Sequence, residues 1–377
     1  AMNREVPLET SCPAEPIGQI GPIGQIGSEG SEEPSGPISP IGPIPPGRNP
    51  LLWPDLLLER LDTLLERAGR GRWGDIPIAG LLLAPAAVLL TLFGVAPLLY
   101  AVYLSLFGGK QGMGHFVGLG NYADALTRHD FWNSLLVTCY YALGTVPLAM
   151  CLSFAIAYAL YRVVLGRALF RVLYFMPYVT SAVAAAMVWR AILAPNTGLA
   201  NTVLASFNLP PQQWLLEPDS ILHILSGGVI GENVGPSLAL CCIIAFDIWH
   251  SSGFMIVIFL AGLTAIPREL EEAARIDGAG AVQTIRHIVL PLLMPTLFFL
   301  TTVGLIKSFQ AFNSFYALTQ GSRTLGTTEN LVMHIYSNFY EYGYWGYGAA
   351  VATLMSLIVM ALTLFQWLYI GRKVYSQ

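Results

Sequence analysis

Charged residues are scarce in this chain. Only 11% of its 377 residues are Asp, Glu, Lys or Arg, against about 25% in a typical soluble domain. Hydrophobic residues make up 54% of the sequence, and the mean hydropathy is +0.58. This composition excludes an ordinary soluble globular protein and indicates an integral membrane protein. The formal net charge of -4 is too small to indicate a nucleic-acid partner, and we expect none.

Motifs for catalysis and metal binding are also lacking. The sequence has no Gly-x-x-x-x-Gly-Lys-Ser/Thr phosphate-binding loop, so we expect that the chain is not an enzyme and cannot hydrolyse ATP by itself. Its five cysteines are odd in number and lack metal-type or redox spacing, which indicates reduced packing residues and no metal site. No basic segment followed by a short apolar core opens the chain, and we therefore expect no cleaved signal peptide.

Two different segments precede the apolar part of the chain. Residues 1–50 are rich in Pro, Gly and Ile, which predicts a disordered extension. In residues 51–75, leucines recur at three- and four-residue spacing while Asp, Glu and Arg fill the opposite face. This pattern predicts an amphipathic interfacial helix and a linker. We expect the helix to lie along the cytoplasmic membrane surface or against the transmembrane bundle, with its arginines facing lipid headgroups.

Six apolar stretches each reach the length of about 20 residues that a membrane-spanning helix needs. They predict an all-α, polytopic bundle over residues 76–371, followed by a short tail over 372–377. The six predicted spans are Ile76–Phe107, Phe131–Tyr161, Val172–Leu193, Ser237–Leu263, Leu290–Phe312 and Gly346–Ile370.

Basic residues between these spans predict the orientation of the chain. If the N-terminus is cytoplasmic, fourteen Lys and Arg residues fall in inside segments and only three, Lys110, Arg128 and Arg323, in outside loops. The positive-inside rule then places both termini in the cytoplasm and the loops 108–130, 194–236 and 313–345 outside. For the segment 218–236 we expect a short amphipathic helix at the outer interface.

A polar loop over residues 266–290 separates the fourth and fifth predicted spans. Its acidic residues lie early in the loop and Asp277-Gly278 follow, which predicts a helix, a tight turn and a second helix over 281–287. Ala273, Ala274 and Ala279 leave one side of this loop almost without side chains, and such a surface suits a groove on another protein. The residues alone are equally compatible with an ordinary solvated loop.

This loop also resembles a known signature. Glu272-Ala273-Ala274 followed by Asp277-Gly278-Ala279 and Leu290-Pro291 is similar to the cytoplasmic motif of binding-protein-dependent ABC importer permeases of type I, in particular the carbohydrate branch related to maltose permeases. The similarity extends from about Gly80 to Ile370. It includes Phe116–Tyr122, Phe170-Arg171, Phe175–Pro177, Gly198–Asn201, Trp249, Gly253-Phe254 and Leu260–Pro267.

The resemblance implies a subunit of a larger assembly in a bacterial cytoplasmic (inner) membrane. Its implied partners are a second permease chain, two cytoplasmic ATPase subunits that bind ATP and Mg, and an extracytoplasmic solute-binding protein. No cofactor is implied on this chain itself. The residues implied to couple it to an ATPase subunit are Glu272, Ala273, Ala274, Asp277, Gly278 and Ala279.

Polar residues inside the predicted spans are candidates for contact with a small-molecule solute. They are Asp247, Trp249 and His250 in the fourth span and Lys307, Gln310 and Asn313 in or next to the fifth. Since a charge within hydrocarbon costs at least about 2.5 kcal/mol, Asp247 and Lys307 are expected to face the interior, and an ion pair between them is one solution. Structural pairing between helices is the alternative role for each of these residues.

Three functions remain compatible with the sequence. The favoured one is a permease subunit of an ATP-driven importer for a sugar, oligosaccharide or glycoside. Within the same class, a non-sugar solute is possible, because Gln320-Gly321-Ser322-Arg323 replaces the Gly-Gly-Pro usual in the last outer loop of the carbohydrate branch. A secondary transporter or a non-transporting membrane scaffold is the alternative outside this class.

Overall fold

The computed structural model describes residues 75–110, 114–162, 166–229, 231, 234–322 and 324–371. The predicted extension over 1–50, nearly all of the amphipathic segment 51–75 and the tail 372–377 lie outside these residues. Contacts between residues divide the chain into two units, Ala1–Ala79 and Gly80–Gln377. Apart from residues 75–79, the described residues belong to the second unit.

Helices make up nearly all of the regular structure in the described residues. β structure among them is limited to two single bridges, Phe107 with Phe116 and Ser220 with Ser237. The expected all-α class is therefore correct. The α-helices are α1 (Asp75–Leu90), α2 (Ala96–Leu104), α3 (Gly120–Thr127), α4 (His129–Arg162), α5 (Arg167–Val179), α6 (Ala182–Ile192), α7 (Leu199–Ser206), α8 (Ile221–Leu225), α9 (Leu238–Thr264), α10 (Arg268–Ile276), α11 (Ala281–Thr284), α12 (Leu290–Leu292), α13 (Met294–Phe309), α14 (Asn313–Thr319), α15 (Leu331–Tyr336) and α16 (Trp345–Gln366).

Short π- and 3₁₀-helical turns join or extend several of these helices. The π-turns are Thr91–Val95, Ile285–Val289, Ser337–Glu341 and Trp367–Gly371, and the 3₁₀ turns are Trp214–Leu216 and Thr324–Gly326. The first π-turn connects α1 to α2, so that one apolar helix runs without interruption through the first predicted span.

Four helices among the described residues are long and apolar enough to cross a membrane. They are Ala79–Leu104, His129–Arg162, Leu238–Thr264 and Trp345–Tyr369. Two further spans exist only if each of two bent pairs counts as one: Leu169–Val179 with Ala182–Ile192, bent by 92°, and Ala281–Leu292 with Met294–Phe309, bent by 70°. Six predicted spans thus correspond to four continuous helices and two broken ones.

Backbone angles locate the two bends, and the local sequence explains the second of them. In the first bend, Thr180 and Ser181 have extended ψ angles of 150° and 123°, after the last turn of α5, which contains Pro177. In the second, Leu293 has ψ near 1° and Pro295 follows it in the first turn of α13. Proline lacks an N–H donor and is tolerated best at the start of a helix, so the chain restarts a helix there.

Helix α9 lies at the centre of the bundle and packs against α4, α5, α6, α13 and α14. Its closest approach is at Gly253, where an added Cβ would lie 2.3 Å from the Tyr174 carbonyl oxygen of α5. Only a residue without a side chain permits this crossing. The Gly253-Phe254 pair in the resemblance therefore has a packing reason that the sequence alone did not reveal.

Two asparagine side chains hold the loops at one end of the bundle by hydrogen bonds to the backbone. We expect this end to face outward. Asn121 donates from Nδ2 to the carbonyl oxygens of Ser105 and Phe107 at 2.7 and 2.9 Å, which fixes the end of the first span. Asn201 donates to Pro195 and Gln212 carbonyls and accepts from the Trp214 indole at 2.8 Å. Both asparagines come from stretches that carry the resemblance, and both satisfy backbone groups that no helix serves.

Two of the loops contain more structure than the sequence indicates. The segment 313–345 folds into α14, a 3₁₀ turn, α15 and a π-turn, and Leu331 at the start of α15 is fully buried. Within 218–236, the expected helix is α8, which has only five residues.

Candidate functional site

The polar loop folds as a short helix, a turn and a second helical segment. Helix α10 is closed by two backbone hydrogen bonds, from Gly278 N to Arg275 O at 3.1 Å and from Ala279 N to Ala274 O at 2.9 Å. These two bonds form a Schellman motif, with Gly278 at a φ of +82°. The turn predicted at Asp277-Gly278 is thus present.

The second segment differs from the expected helix over 281–287. Helix α11 covers Ala281–Thr284 and continues as the π-turn Ile285–Val289. Gln283 Oε1 accepts from Gly280 N at 2.8 Å and so caps the start of α11. Ile266, Val289 and Leu293 are buried in one apolar cluster with Leu263 at the end of α9, which anchors both ends of the loop on the bundle.

The six candidate coupling residues divide by burial. Ala274 is buried and Ala279 is half-buried, whereas Glu272, Ala273, Asp277 and Gly278 are exposed. Ile276 is 86% exposed and Val282 is 77% exposed, although both are large and apolar. No described atom lies within 4 Å of the position that a Cβ on Gly278 would occupy. The loop therefore presents an uncovered surface that is partly small, partly apolar and flanked by charge.

A cavity of about 250 Å³ lies within the bundle, between α4, α5, α9 and the C-terminal part of α13. Five of the six candidate solute-contacting residues line it: Asp247, His250, Lys307, Gln310 and Asn313. The spacing of polar residues in the fourth and fifth spans thus located one shared cavity.

Trp249 is the exception. It is exposed, packs at 5.6 Å between ring centroids against Trp189, and lines a separate apolar groove with Tyr174 and Pro177. This position follows from helix geometry, because residues 247 and 249 are about 200° apart around α9.

Asp247 and Lys307 do not form the ion pair that the sequence suggested. Tyr141 donates from Oη to Asp247 Oδ2 at 2.8 Å, so α4 supplies the partner of the carboxylate. Lys307 instead lies with Nζ 4.9 Å from the Phe254 ring centroid and 5.5 Å from that of Tyr178. Its Nζ also donates to Tyr178 Oη at 3.4 Å. Aromatic faces and a phenol thus hold the cation at the cavity.

Two breaks in the helices border this cavity. At each break, one side chain lies within hydrogen-bond distance of a backbone carbonyl oxygen. His250 Nε2 lies 3.4 Å from the Thr180 carbonyl oxygen, within the bend between α5 and α6. Asn330 Nδ2 donates to the Ala311 carbonyl oxygen at 2.5 Å, between α13 and α14. Gln310 and Asn313 flank that second break, which explains why the predicted span to Phe312 ends at Phe309 instead.

Sequence reasoning missed Tyr141, Tyr178 and Asn330. A signal for the first was present, since Ser134, Thr138, Tyr141 and Thr145 recur at three- and four-residue spacing and form a polar stripe along α4. Asn330 gave no such signal, because its role depends on a loop that folds back 19 residues after Ala311.

The cavity can hold a small polar molecule by hydrogen bonds. It offers a carboxylate as acceptor, an ammonium and two amides as donors, and the rings of Tyr178 and Phe312 as apolar faces. Among the described residues, no group of three or more His, Cys, Asp and Glu side chains could hold a metal ion.

Replacing Tyr141 with Phe removes the donor to Asp247 and leaves the shape of the side chain unchanged. We expect the free energy of unfolding to fall by about 1 kcal/mol, within the range measured for hydrogen bonds between membrane helices. Thermal unfolding of the purified chain in detergent measures this change in stability. Tyr140→Phe is the matched control, because the Tyr140 hydroxyl makes no hydrogen bond with a described residue. Equal losses in both variants would contradict the assigned role of Tyr141.

Comparison with known proteins adds relatives that align with most of this chain. The trehalose/maltose transport system permease protein MalF of Thermococcus litoralis is 28% identical over 303 residues, which cover 80% of this chain and 96% of the relative. The sn-glycerol-3-phosphate transport system permease protein UgpA of Agrobacterium fabrum is 32% identical over 301 residues, covering 78% and 95%. The arabinooligosaccharides transport system permease protein AraP of Bacillus subtilis is 29% identical, covering 74% and 84%.

Solved structures show the same fold. A chain of a bacterial ABC transporter involved in the import of the acidic polysaccharide alginate superposes with a TM-score of 0.66 at 20% identity, covering 83% of this chain and 99% of that one. Residues 149–374, from the middle of α4 to the C-terminal region, match the family described as binding-protein-dependent transport system inner membrane component. This chain belongs to that family of multi-pass membrane permeases.

Proposed function

We propose that this chain is the transmembrane permease subunit of an ATP-driven importer for a sugar, an oligosaccharide or a glycoside. It forms half of the translocation pathway, and the loop around Glu272–Gly278 couples it to a cytoplasmic ATPase subunit. The observation that carries the proposal is the uncovered α10 surface on a chain whose relatives are named as permeases of trehalose, maltose, arabino-oligosaccharide and glycerol-phosphate systems.

The assembly follows from what this chain lacks. It has no phosphate-binding loop of its own, so two cytoplasmic ATPase subunits bind ATP and Mg and supply the work. A second permease chain completes the pathway, and an extracytoplasmic solute-binding protein delivers the cargo. The complex lies in a bacterial inner membrane, with both termini and the polar loop on the cytoplasmic side.

Two equally exposed residues test this orientation. Ile276 in the polar loop and Val229 after α8 are each 86% exposed. In a variant without native cysteines, expressed without the ATPase subunits so that α10 stays uncovered, we expect Val229→Cys to react with a membrane-impermeant maleimide in intact cells, whereas Ile276→Cys reacts only after permeabilisation. Labelling of Ile276→Cys from outside would refute the proposed topology and with it the coupling role of the loop.

Coupling requires α10 to move as one body with the spans on either side of it. In the proposed mechanism, α10 rests in a cleft of an ATPase subunit, with Glu272 orienting the contact. Closure of the ATPase pair then moves α10 and tilts the bundle between inward-open and outward-open states. Gly278 provides the left-handed turn and keeps the surface beside it bare, so that the cleft can approach closely.

Gly278→Asn tests this role with little damage to the turn, because Asn tolerates a left-handed backbone. We expect the assembled transporter to lose at least about tenfold in transport and in solute-stimulated ATPase activity, while expression and assembly stay normal. A loss of this size is typical when one residue at the centre of a protein–protein interface is disrupted, here the proposed interface with the ATPase subunit.

Gly227→Asn is the matched control. Gly227 is also exposed, has a φ of +63° and has no described atom within 4 Å of an added Cβ, but it lies in an outer loop. Normal transport in Gly278→Asn, or equal losses in both variants, would contradict coupling through this turn.

Cargo is assigned to the cavity at Asp247 and Lys307. Hydroxyl groups of a sugar suit its mixture of donors and acceptors, and the rings of Tyr178 and Phe312 suit the apolar faces of a pyranose. Lys307 also makes an anionic solute a second candidate, because its Nζ has donors left beside the single bond to Tyr178. The relative named for sn-glycerol-3-phosphate transport favours the same candidate.

A solute panel with Lys307→Met separates the two candidates. Maltose, trehalose, an arabino-oligosaccharide and sn-glycerol 3-phosphate are each added with the binding protein, and transport into proteoliposomes is measured. For a neutral sugar cargo we expect a loss of about two- to fivefold in Lys307→Met, because the ammonium group loses only a contact with an uncharged hydroxyl. For an anionic cargo we expect more than about tenfold, because the attraction between opposite charges is lost as well.

Lys110→Met serves as the control, since Lys110 also lies over a tyrosine ring, at 5.7 Å from the centroid of Tyr344, but does not line the cavity. Transport of sn-glycerol 3-phosphate and of none of the sugars would overturn the sugar assignment. Unchanged transport of every cargo in Lys307→Met would remove the cavity from the pathway.

A further inference from the structure

A second polar cavity lies at the other end of the bundle, where the last turn of α4 meets α10. Its volume is about 320 Å³, and its lining consists of Tyr161, Arg162, Arg268, Glu271, Glu272 and Arg275. It shares no residue with the cavity at Asp247. Transport of a solute through the bundle gives this cavity no role.

Positive charge exceeds negative charge around the cavity. Three arginines and two glutamates line it, and one ion pair is formed among them, between Arg275 Nη2 and Glu271 Oε2 at 3.7 Å. Neither Arg162 nor Arg268 forms an ion pair with a described residue. Two exposed guanidinium groups are thus free to bind an anion, and Arg binds phosphate in a fork-like geometry.

Glu271 gives the cavity a second chemical requirement. The residue is only 5% exposed, and its Oε1 has no hydrogen-bond partner among the described residues. A buried carboxylate oxygen without a hydrogen bond lowers the stability of the fold, and a hydroxyl group of a ligand would supply the missing donor. The cavity therefore favours a ligand that combines an anionic group with a neighbouring hydroxyl.

The position of the cavity suggests where such a ligand comes from. Helix α4 is an apolar span of 34 residues that ends at Arg162, and Arg162 lies 4.9 Å from the Tyr158 ring centroid. Tyrosine and arginine at the end of a span are typical of the level of the lipid headgroups. Arg162 and Arg268 are exposed, so the cavity is open to ligands from outside the chain.

We propose that this cavity binds a phosphodiester or phosphomonoester that carries a glycerol-type hydroxyl. Its phosphate lies against Arg162 and Arg268, and its hydroxyl donates to Glu271 Oε1. The headgroup of phosphatidylglycerol and free glycerol 1-phosphate both provide this chemistry. A ligand at this place contacts α10 directly and so sets the position of the polar loop relative to α4.

Native mass spectrometry of the purified full-length chain in detergent tests the proposal. The probes are phosphatidylglycerol, phosphatidylmethanol and phosphatidylcholine with identical acyl chains. Phosphatidylmethanol carries the same charge as phosphatidylglycerol but no headgroup hydroxyl, and phosphatidylcholine carries no net charge. We expect retention in the order phosphatidylglycerol, phosphatidylmethanol, phosphatidylcholine.

Variants then assign each part of the preference. Arg162→Gln and Arg268→Gln should each weaken binding of both anionic lipids by about fivefold, the effect of one basic side chain near a charged headgroup. Glu271→Ala should bind both anionic lipids equally, because only the hydroxyl loses its acceptor. Arg286→Gln is the matched control, since Arg286 is exposed in the same loop but does not line the cavity.

Competition distinguishes the two sources of the ligand. Displacement of phosphatidylglycerol by millimolar glycerol 1-phosphate supports a site that accepts the headgroup from either source, and retention supports a lipid site. The proposal is overturned if wild-type chain retains phosphatidylcholine as well as phosphatidylglycerol. It is also overturned if the two cavity arginine variants behave like Arg286→Gln while thermal unfolding shows all of them to be folded.

Discussion

Backbone hydrogen bonding in hydrocarbon is the constraint on which the rest of this structure depends. A helix that breaks within the membrane leaves N–H and C=O groups without partners, and such breaks persist only where protein or a cavity serves them. Both helix breaks that border the cavity at Asp247, one between α5 and α6 and one between α13 and α14, follow this rule. His250 lies against the Thr180 carbonyl and Asn330 donates to that of Ala311. The residues that permit the breaks are therefore inseparable from those that line the cavity.

The same requirement is met differently at the polar loop. There the last carbonyls of α10 are satisfied by the Schellman bonds from Gly278 and Ala279, without any help from side chains. Side chains of the loop are consequently free for other contacts. Glu271 uses that freedom towards α4 and the arginines, whereas Glu272, Asp277 and Ile276 remain exposed. One short helix thus has an inward face that is fixed by the bundle and an outer surface open to a partner.

Sequence reasoning succeeded where local chemistry determines the outcome. Apolar length located the spans, the Asp277-Gly278 pair located the turn, and stranded polar residues located one cavity. It failed where a contact joins distant segments: Tyr141 and Asp247 are 106 residues apart, and the partner of Lys307 comes from α5. An isolated Asp and Lys in neighbouring spans look like an ion pair, yet a phenol and two aromatic rings satisfy them separately. Bends such as the one at Thr180-Ser181 also remained hidden, because Pro177 is compatible with a continuous helix.

The two spans that flank the polar loop differ in continuity, and this difference bears on how the proposed coupling reaches the cavity. Helix α9 runs unbroken from Asp247 to Thr264, a distance of about 26 Å at the rise of an α-helix. Gly253 locks it against α5 by direct backbone contact. On the other side, the π-turn Ile285–Val289 and the 70° bend at Leu293 interrupt the path to Lys307. In the proposed coupling, a displacement that reaches the end of α9 at Thr264 is carried by one unbroken helix to His250 and Asp247, whereas the path through α13 is interrupted twice. In the proposed mechanism, movement of one cavity wall against the other changes the distance between the Asp247 carboxylate and the Lys307 ammonium group as the pathway opens to one side and then to the other.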